Sequence, residues 1–509
     1  MGDRRCAGEA LGLARFDDFE LTAGRNAGAI AGPQAAWYFA DEIVAVPRAE
    51  REASGFGRQL RPFDDVRRWN ESHAGSLPEA LPPLAWIGSP DALRLAQVDR
   101  SLTRIEAASR TQPLALAKRI ESNRAWLDAR SGDFLAAGSL FVRGTQHASS
   151  FEARVLWPDA FALGHESPPK IDGSSTALRD LVRDGSHAYA PFRACTLWQR
   201  PDVESWHGCS VLAFVLNGAQ GDDDEAHAGH FAVATGRIAD DASTGDWLVN
   251  SLYPLDTVSE KGILAAPTPL ANYQGDVNSG QSWYRPTWIL VAVLDGTRAA
   301  RRVQQAFDRV YRQFWRHQLA YDHANANCTS ISIDALHALG LDLPRLGPSS
   351  PAIAWAGFPM LVARERSLAK GRTAFDYLVA ERTRLLPALA LEAVGEALFR
   401  LAREPQSASG ILATDIAREL CGIAWMRIPQ FPSSCEAGTF PVASIDEYRA
   451  RLPADRSKLR IIPVPPRPFP EALRDDDLLP PLPRPSDLAV RAWAAGPLAL
   501  LAVVLIALG

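Results

Sequence analysis

Cysteine is scarce in this chain. Six cysteines in 509 residues, at positions 6, 195, 209, 328, 421 and 435, are too few and too scattered for a disulfide framework. No C-x-x-C occurs, which removes zinc-ribbon and thioredoxin-like readings. Cys421 and Cys435 are close enough in sequence to bridge in an oxidising compartment, but separate buried thiols are the expectation. An excess of charge of one sign is missing as well: 54 lysines and arginines stand against 59 acidic residues, for a net charge of −5. With no basic block to neutralise phosphates, nucleic acid is not an expected partner. There is no H-E-x-x-H, P-loop, G-x-S-x-G elbow or dinucleotide fingerprint, and no cofactor is expected. The N-terminal stretch MGDRRCAGEALGLARFDDFE holds no apolar h-region, which argues against a secretory leader. Lysine is sparse beside alanine, arginine and leucine, the composition of a GC-rich bacterial genome.

The chain is too long for one compact core, and two to three units are expected. Residues 1–200 read as a mixed α/β region without recognisable chemistry. Strands are expected near Gly32–Phe39, Glu42–Pro47, Ser139–Val142 and Phe151–Trp157, and helices over Ser89–Ala108 and Leu114–Leu127. Residues 205–345 are richer in signals. Four apolar runs of β-branched and aromatic character predict strands: Ser210–Leu216, His230–Gly236, Trp247–Tyr253 and Trp288–Leu294. Helices follow over Thr297–Gln318 and over Cys328–Leu339, the second stopped by Gly340. Strands first and helices after predict an α+β domain. Residues 370–430 read as a helical extension made of Tyr377–Leu401, kinked at Pro387, and Ile411–Trp425. Residues 461–486 form a proline-rich, semi-rigid linker. From Ala492 to Gly509 no residue is charged. A membrane helix is therefore expected over residues 489–508, with a buried C-terminal helix as the alternative. Arg484 and Arg491 on its near side place the bulk of the chain in the cytoplasm.

One short segment concentrates chemistry: Asn325-Ala326-Asn327-Cys328-Thr329-Ser330, at the predicted start of a helix. A helix N-terminus lowers a thiol's pKa through its dipole and free N–H groups. Asn325 and Asn327 can cap that turn and support an oxyanion, and Thr329 and Ser330 keep it polar. A lone cysteine on an apolar helix is otherwise buried filler. Upstream, Gly229-His230 opens an apolar strand, and an imidazole is the base a thiol nucleophile needs. The base in turn needs an acceptor for its other ring nitrogen. Asn250 on the following strand is the best candidate, with Ser251, Tyr253 and Asp256 as alternatives. The long connection before the fourth strand carries Asn278, Gln281, Trp283 and Tyr284, which suit either a substrate wall or an aromatic-anchored surface loop. His227-x-x-His230, with Asp222, Asp223, Asp224 and His207 nearby, offers a metal-site alternative, although no spacing matches a standard zinc pattern.

A Gly-His strand, then a strand with a polar residue, then a helix opening on Asn-Cys resembles the circularly permuted papain-like superfamily. That group includes the lecithin–retinol acyltransferase-like proteins and bacterial cell-wall peptidase relatives. The resemblance covers residues 205–345. It implies a permuted papain-like core of antiparallel sheet and helices, with Cys328 as nucleophile, His230 as base and Asn250 as third polar member. The implied activity is thiol-dependent hydrolysis or acyl transfer on an amide or ester, and the expected membrane helix points to an envelope- or lipid-linked substrate. Two other functions remain open: a catalytically inactive membrane-anchored binding or scaffold protein, and a metal-dependent hydrolase built on His227 and His230.

Overall fold

The computed structural model describes residues 24–30, 44–47, 62–77, 84–88, 103–105, 114–116, 129–146, 151–163, 173–184, 187–252, 266–277, 280–315, 323–348, 351–432 and 436–461. The expected membrane helix, most of the proline-rich linker, Cys6 and Cys435 lie outside these residues. Among the described residues no helix is long and apolar enough to cross a membrane.

The architecture is mixed α+β. In chain order the strands are β1 (Gly24–Ile30), β2 (Val44–Pro47), β3 (Leu84–Gly88), β4 (Thr103–Ile105), β5 (Leu114–Leu116), β6 (Leu140–Gln146), β7 (Phe151–Pro158), β8 (Arg193–Gln199), β9 (Ser210–Asn217), β10 (His230–Arg237), β11 (Leu248–Ser251), β12 (Ala266–Pro269), β13 (Thr287–Leu294) and β14 (Leu420–Ile428). The helices are α1 (Pro62–Ser72), α2 (Ala129–Ala136), α3 (Ser175–Arg183), α4 (Leu270–Gly275), α5 (Arg298–Trp315), α6 (Cys328–Ala338), α7 (Pro351–Glu365), α8 (Leu368–Val379), α9 (Arg382–Leu385), α10 (Pro387–Arg403), α11 (Ile411–Glu419) and α12 (Ile445–Arg451).

Seven strands form the central sheet in the order β12-β11-β10-β9-β13-β14-β8, and every neighbouring pair is antiparallel. The sequence explains its centre. Ser210–Asn217 and Thr287–Leu294 are apolar on both pleat faces, and every residue of both strands is buried. A strand with no polar face needs a layer on each side. On one side, Leu212, Phe214, Leu216, Phe231 and Val233 pack with α1, α3, α5, α6, α10 and α11. On the other, Val211, Ala213, Val215, Ala232 and Ala234 pack with β6, β7, α4 and the Trp283–Phe431 region. The two flanking strands β14 and β8 come from outside residues 205–345, so the sheet is not confined to that stretch.

Three local expectations change. Ile411–Trp425 is not one helix: α11 stops at Glu419 and β14 begins at Leu420. The segment CGIAWMRI satisfies a strand's period, and pairing with β13 and β8 decides between the two. Pro387 does not kink a helix but starts α10 at its first position, where its missing N–H leaves no bond unmade. Thr103–Ile105 and Leu114–Leu116 are strands, not helix, paired to β6 and β7.

The helical layer is tied by ions as well as by hydrocarbon. Arg302 on α5 is fully buried. Its Nε donates to Asp415 Oδ2 of α11 at 2.7 Å and its Nη1 to Asn70 Oδ1 of α1 at 2.7 Å. Asn70 Nδ2 donates in turn to the Leu339 carbonyl at the end of α6, at 2.9 Å. Arg298 completes the group on Asp415 Oδ1 at 2.9 Å. Removing one partner of such a pair leaves a buried charge uncompensated. Asp415→Ala is expected to cost about 3–5 kcal/mol in denaturant unfolding. The double change Arg302→Met with Asp415→Leu is expected to recover part of that loss; a double variant as unstable as the single one would remove the electrostatic explanation.

Candidate active site around Cys328 and His230

α6 begins on the residue of interest. Asn327 is its N-cap, and Oδ1 accepts from Thr329 N at 2.9 Å and from Ser330 N at 2.8 Å. Ser330 Oγ reciprocates by accepting from Asn327 N at 2.8 Å, which completes a capping box. Asn327 Nδ2 donates to the His323 carbonyl at 2.8 Å. Cys328 therefore occupies the first helical position of a closed, rigid cap. Its sulfur lies 3.8 Å from Thr329 Oγ1, and its carbonyl accepts from Ser332 Oγ at 2.7 Å. The residue is 6% exposed. Two first-turn N–H groups are satisfied by the cap and are not offered to a ligand. Asn325 is exposed, and its carbonyl accepts from Arg384 Nη2 at 3.2 Å. The same guanidinium holds Asp334 on α6 at 2.6 Å.

α6 packs against β10. Its last turn shares Asn70 with Arg302, half a turn before Gln304, which accepts from Thr235 Oγ1 at 2.7 Å. On α5, two residues after Arg302, Gln304 is the side chain that meets β10 directly, through Thr235.

His230 is 5% exposed and pairs directly with Asn217 of β9. Directly opposed residues share a face of a sheet. Alternation turns Phe231, Val233 and Thr235 toward α5 and α6, and His230 with Asn217 toward the other layer. The glycine before it is required: Gly229 has φ of 78°, and a Cβ there would run into the Asn217 carbonyl. Asn217 Oδ1 accepts from Tyr273 OH, and Nδ2 donates to Thr287 Oγ1 at 2.8 Å. Thr287 Oγ1 donates onward to Gln274 Oε1 at 3.2 Å. A wholly buried polar chain therefore lies beside His230.

Asn250 does not face His230. It pairs with Val233, on the helical side. Its Nδ2 donates to Gln304 Oε1 at 3.0 Å, and its Oδ1 accepts from Gln304 Nε2 at 3.1 Å. That reciprocal amide pair locks β11 to α5. The residue that the register sets beside His230 is Asn217, which the sequence presents as the start of an Asn-Gly turn. A carboxamide closing an otherwise apolar strand was the available signal.

Gln281, Trp283 and Tyr284 are interior residues. Trp283 sits edge-on to Phe431 with centroids 4.7 Å apart, and Gln281 Oε1 accepts from Arg285 Nε at 3.2 Å. Burial leaves these three no solvent-facing wall to offer; Asn278 is outside the described residues. His227 lies 3.7 Å from Asp224, but Arg460 already holds that carboxylate through its backbone N at 2.9 Å and Nη2 at 3.1 Å. Burial, and then Arg451, push the His227 pKa down. Among the described residues no three His, Cys, Asp or Glu side chains converge as a metal site would require. A cleft of about 570 Å³ opens elsewhere, walled by Phe134, Phe161, Tyr189 and Phe192 with Arg130 and Gln430, and contains none of the residues above.

Gly229→Ala is expected to lower stability by roughly 1–3 kcal/mol in denaturant unfolding, through a left-handed backbone and a blocked approach; an unchanged midpoint would dissociate the glycine from the placement of His230. A second expectation concerns pH. Burial, and then the charge of Arg345, hold the His337 pKa on α6 below its ordinary 6.5. The unfolded chain takes up that proton first as pH falls, so stability drops from about pH 6.5 down through the lowered native value. His337→Gln should make the fall in unfolding midpoint between pH 7 and pH 5 shallower than in the parent chain. Neither a family model nor a curated protein nor a solved structure matches this chain.

Proposed function

We propose that the chain is a thiol-dependent acyl hydrolase or acyltransferase with a permuted papain-like core. The observation that carries this reading is the pairing of elements: a capped helix that begins on Cys328 packs on the strand that begins with His230. The helix dipole favours the thiolate. Thiolate sulfur attacks the carbonyl carbon of an amide or ester, with His230 holding the thiol proton. The oxyanion falls to the Cys328 N–H, since Thr329 and Ser330 N–H serve the cap. The imidazolium returns the proton to the leaving amine or alcohol. Water, or an acceptor hydroxyl or amine, then attacks the thioester and frees Cys328. Alternation turns His230 to the face opposite α6, so the reaction requires its imidazole to reach Cys328 past the end of the strand. Asn217 replaces Asn250 as the group that orients the imidazole. The uncharged run Ala492–Gly509 anchors the chain at a membrane and favours a lipid-linked or envelope substrate.

A second reading has its own support. The register of β10 and the reciprocal Asn250–Gln304 pair suit a non-catalytic binding protein on the same fold. One experiment separates the two: labelling of the whole chain by an acyl-thioester probe, with the modified residue located by mass spectrometry. The thiol-enzyme reading expects modification at Cys328, lost in Cys328→Ala and slowed about 10²-fold or more in His230→Ala. Equal labelling of parent and His230→Ala, or modification only at Cys209, would favour the binding protein.

A further inference from the structure

α7 and α8 form a hairpin whose outer surface is unusually apolar. Of the large hydrophobic side chains exposed among the described residues, all but Ile461 lie between Leu346 and Leu368. Met360 is 73% exposed, Ile353 55%, Leu368 54% and Trp355 47%. The pattern is helical: Ile353, Ala356, Met360 and Arg364, at spacings of three and four, are all exposed. The opposite side of α7 is the packed one. Ala354 is buried, and Trp355 and Phe358 meet Phe375 of α8 edge-on at 5.0 and 5.9 Å. The exposed stripe bears no charge before Arg364. Beyond it, at the hairpin tip, Arg364, Arg366 and Lys370 are exposed. Residues 351–379 contain four basic and two acidic residues, in a chain that is net acidic, and Asp376 is held by Arg372 at 3.3 Å.

We propose that this hairpin docks on the surface of an anionic bilayer, with the α7 stripe in the acyl boundary and the basic tip among the phosphates. Binding of such a surface grows with the apolar area it buries plus the attraction of its Arg and Lys for anionic lipid. Area argues against a second copy as occupant. The face is roughly 22 Å by 10 Å, well short of the ~800 Å² per partner of a stable interface. A lipid surface requires no such minimum. The hairpin is also rooted beside the start of α6: Arg382 N donates to the Leu346 carbonyl at 3.0 Å, Leu346 N to Thr383 Oγ1 at 2.9 Å, and Arg384 bridges to Asn325 and Asp334. The inference is independent of whether Cys328 is catalytic.

The chain's own methionines supply the readout. It has three: Met1, the exposed Met360, and Met426, which is fully buried in β14 and serves as internal control. Full-length protein is treated with dilute hydrogen peroxide alone, with phosphatidylcholine vesicles, and with vesicles that also contain phosphatidylglycerol. Sulfoxide formation at each methionine is followed by mass spectrometry. Oxidation of Met360 is expected to slow about fivefold or more with the anionic vesicles only. Arg364→Glu with Lys370→Glu should abolish that protection, as should Ile353→Asp. Both changes are at exposed positions, and an unchanged thermal midpoint verifies the fold. Met360 oxidised at the same rate on vesicle-bound protein would overturn the proposal, because membrane attachment would then run through other parts of the chain. Protection that rises with protein concentration without lipid, together with a dimer mass, would overturn it in favour of a second copy.

Discussion

The guanidinium of Arg302 is the point on which the helical half of the molecule depends. It is fully enclosed, and it meets a carboxylate from α11 and a carboxamide from α1. Through that carboxamide it also fixes the end of α6. A buried cation tolerates no vacancy among its partners. Four helices drawn from residues 62 to 419 are therefore held in one arrangement. α6, which carries Cys328, is thus held at its end through Arg302 and along its length by Arg384 on Asp334.

The sheet supplies the second constraint. With β9 and β13 apolar on both sides, every strand residue must commit to one of two interior layers. Polar side chains on such strands survive only where they find partners. Asn250 finds Gln304 and Asp308 lies beyond it, since Gln304 Nε2 also donates to Asp308 Oδ1 at 3.0 Å. Asn217 finds Tyr273 and Thr287. These two buried clusters, one on each face, mark the places where the sequence departs from hydrocarbon. His230 stands at the margin of the second, directly across from Asn217, with a left-handed glycine fixing its entry to the strand.

Much of this was legible beforehand, for physical reasons. The runs at 210–216, 230–236 and 288–294 are short, rich in β-branched and aromatic residues and mostly apolar, which suits buried strands. The cap of α6 was readable only to the level of an asparagine before an apolar-periodic run; the choice of Asn327 over Asn325, and the return bond from Ser330, came with the fold. The strand–helix change at Leu420 was not, because the residues from Ile411 to Trp425 satisfy both periods and only the edge of β13 discriminates. Gln281, Trp283 and Tyr284 suited a substrate wall or a surface loop by composition; their burial comes from tertiary packing, Trp283 against Phe431 and Gln281 against Arg285. The face of His230 was not accessible either, since Asn217 and Asn250 compete as neighbours until a register is known. The α7 stripe is weakly amphipathic by composition, and its exposure emerges only once α8 is seen to cover the other side.

The order in which the sheet is assembled has a consequence for synthesis. β13 lies at residues 287–294, yet the strand that covers its outer edge is β14, at residues 420–428. While the ribosome makes the intervening helices, the nascent chain presents a long, flat, hydrophobic strand edge with unpaired amide and carbonyl groups. Such an edge templates aggregation. That edge closes only when β14, more than a hundred residues later, has left the tunnel and paired with β13.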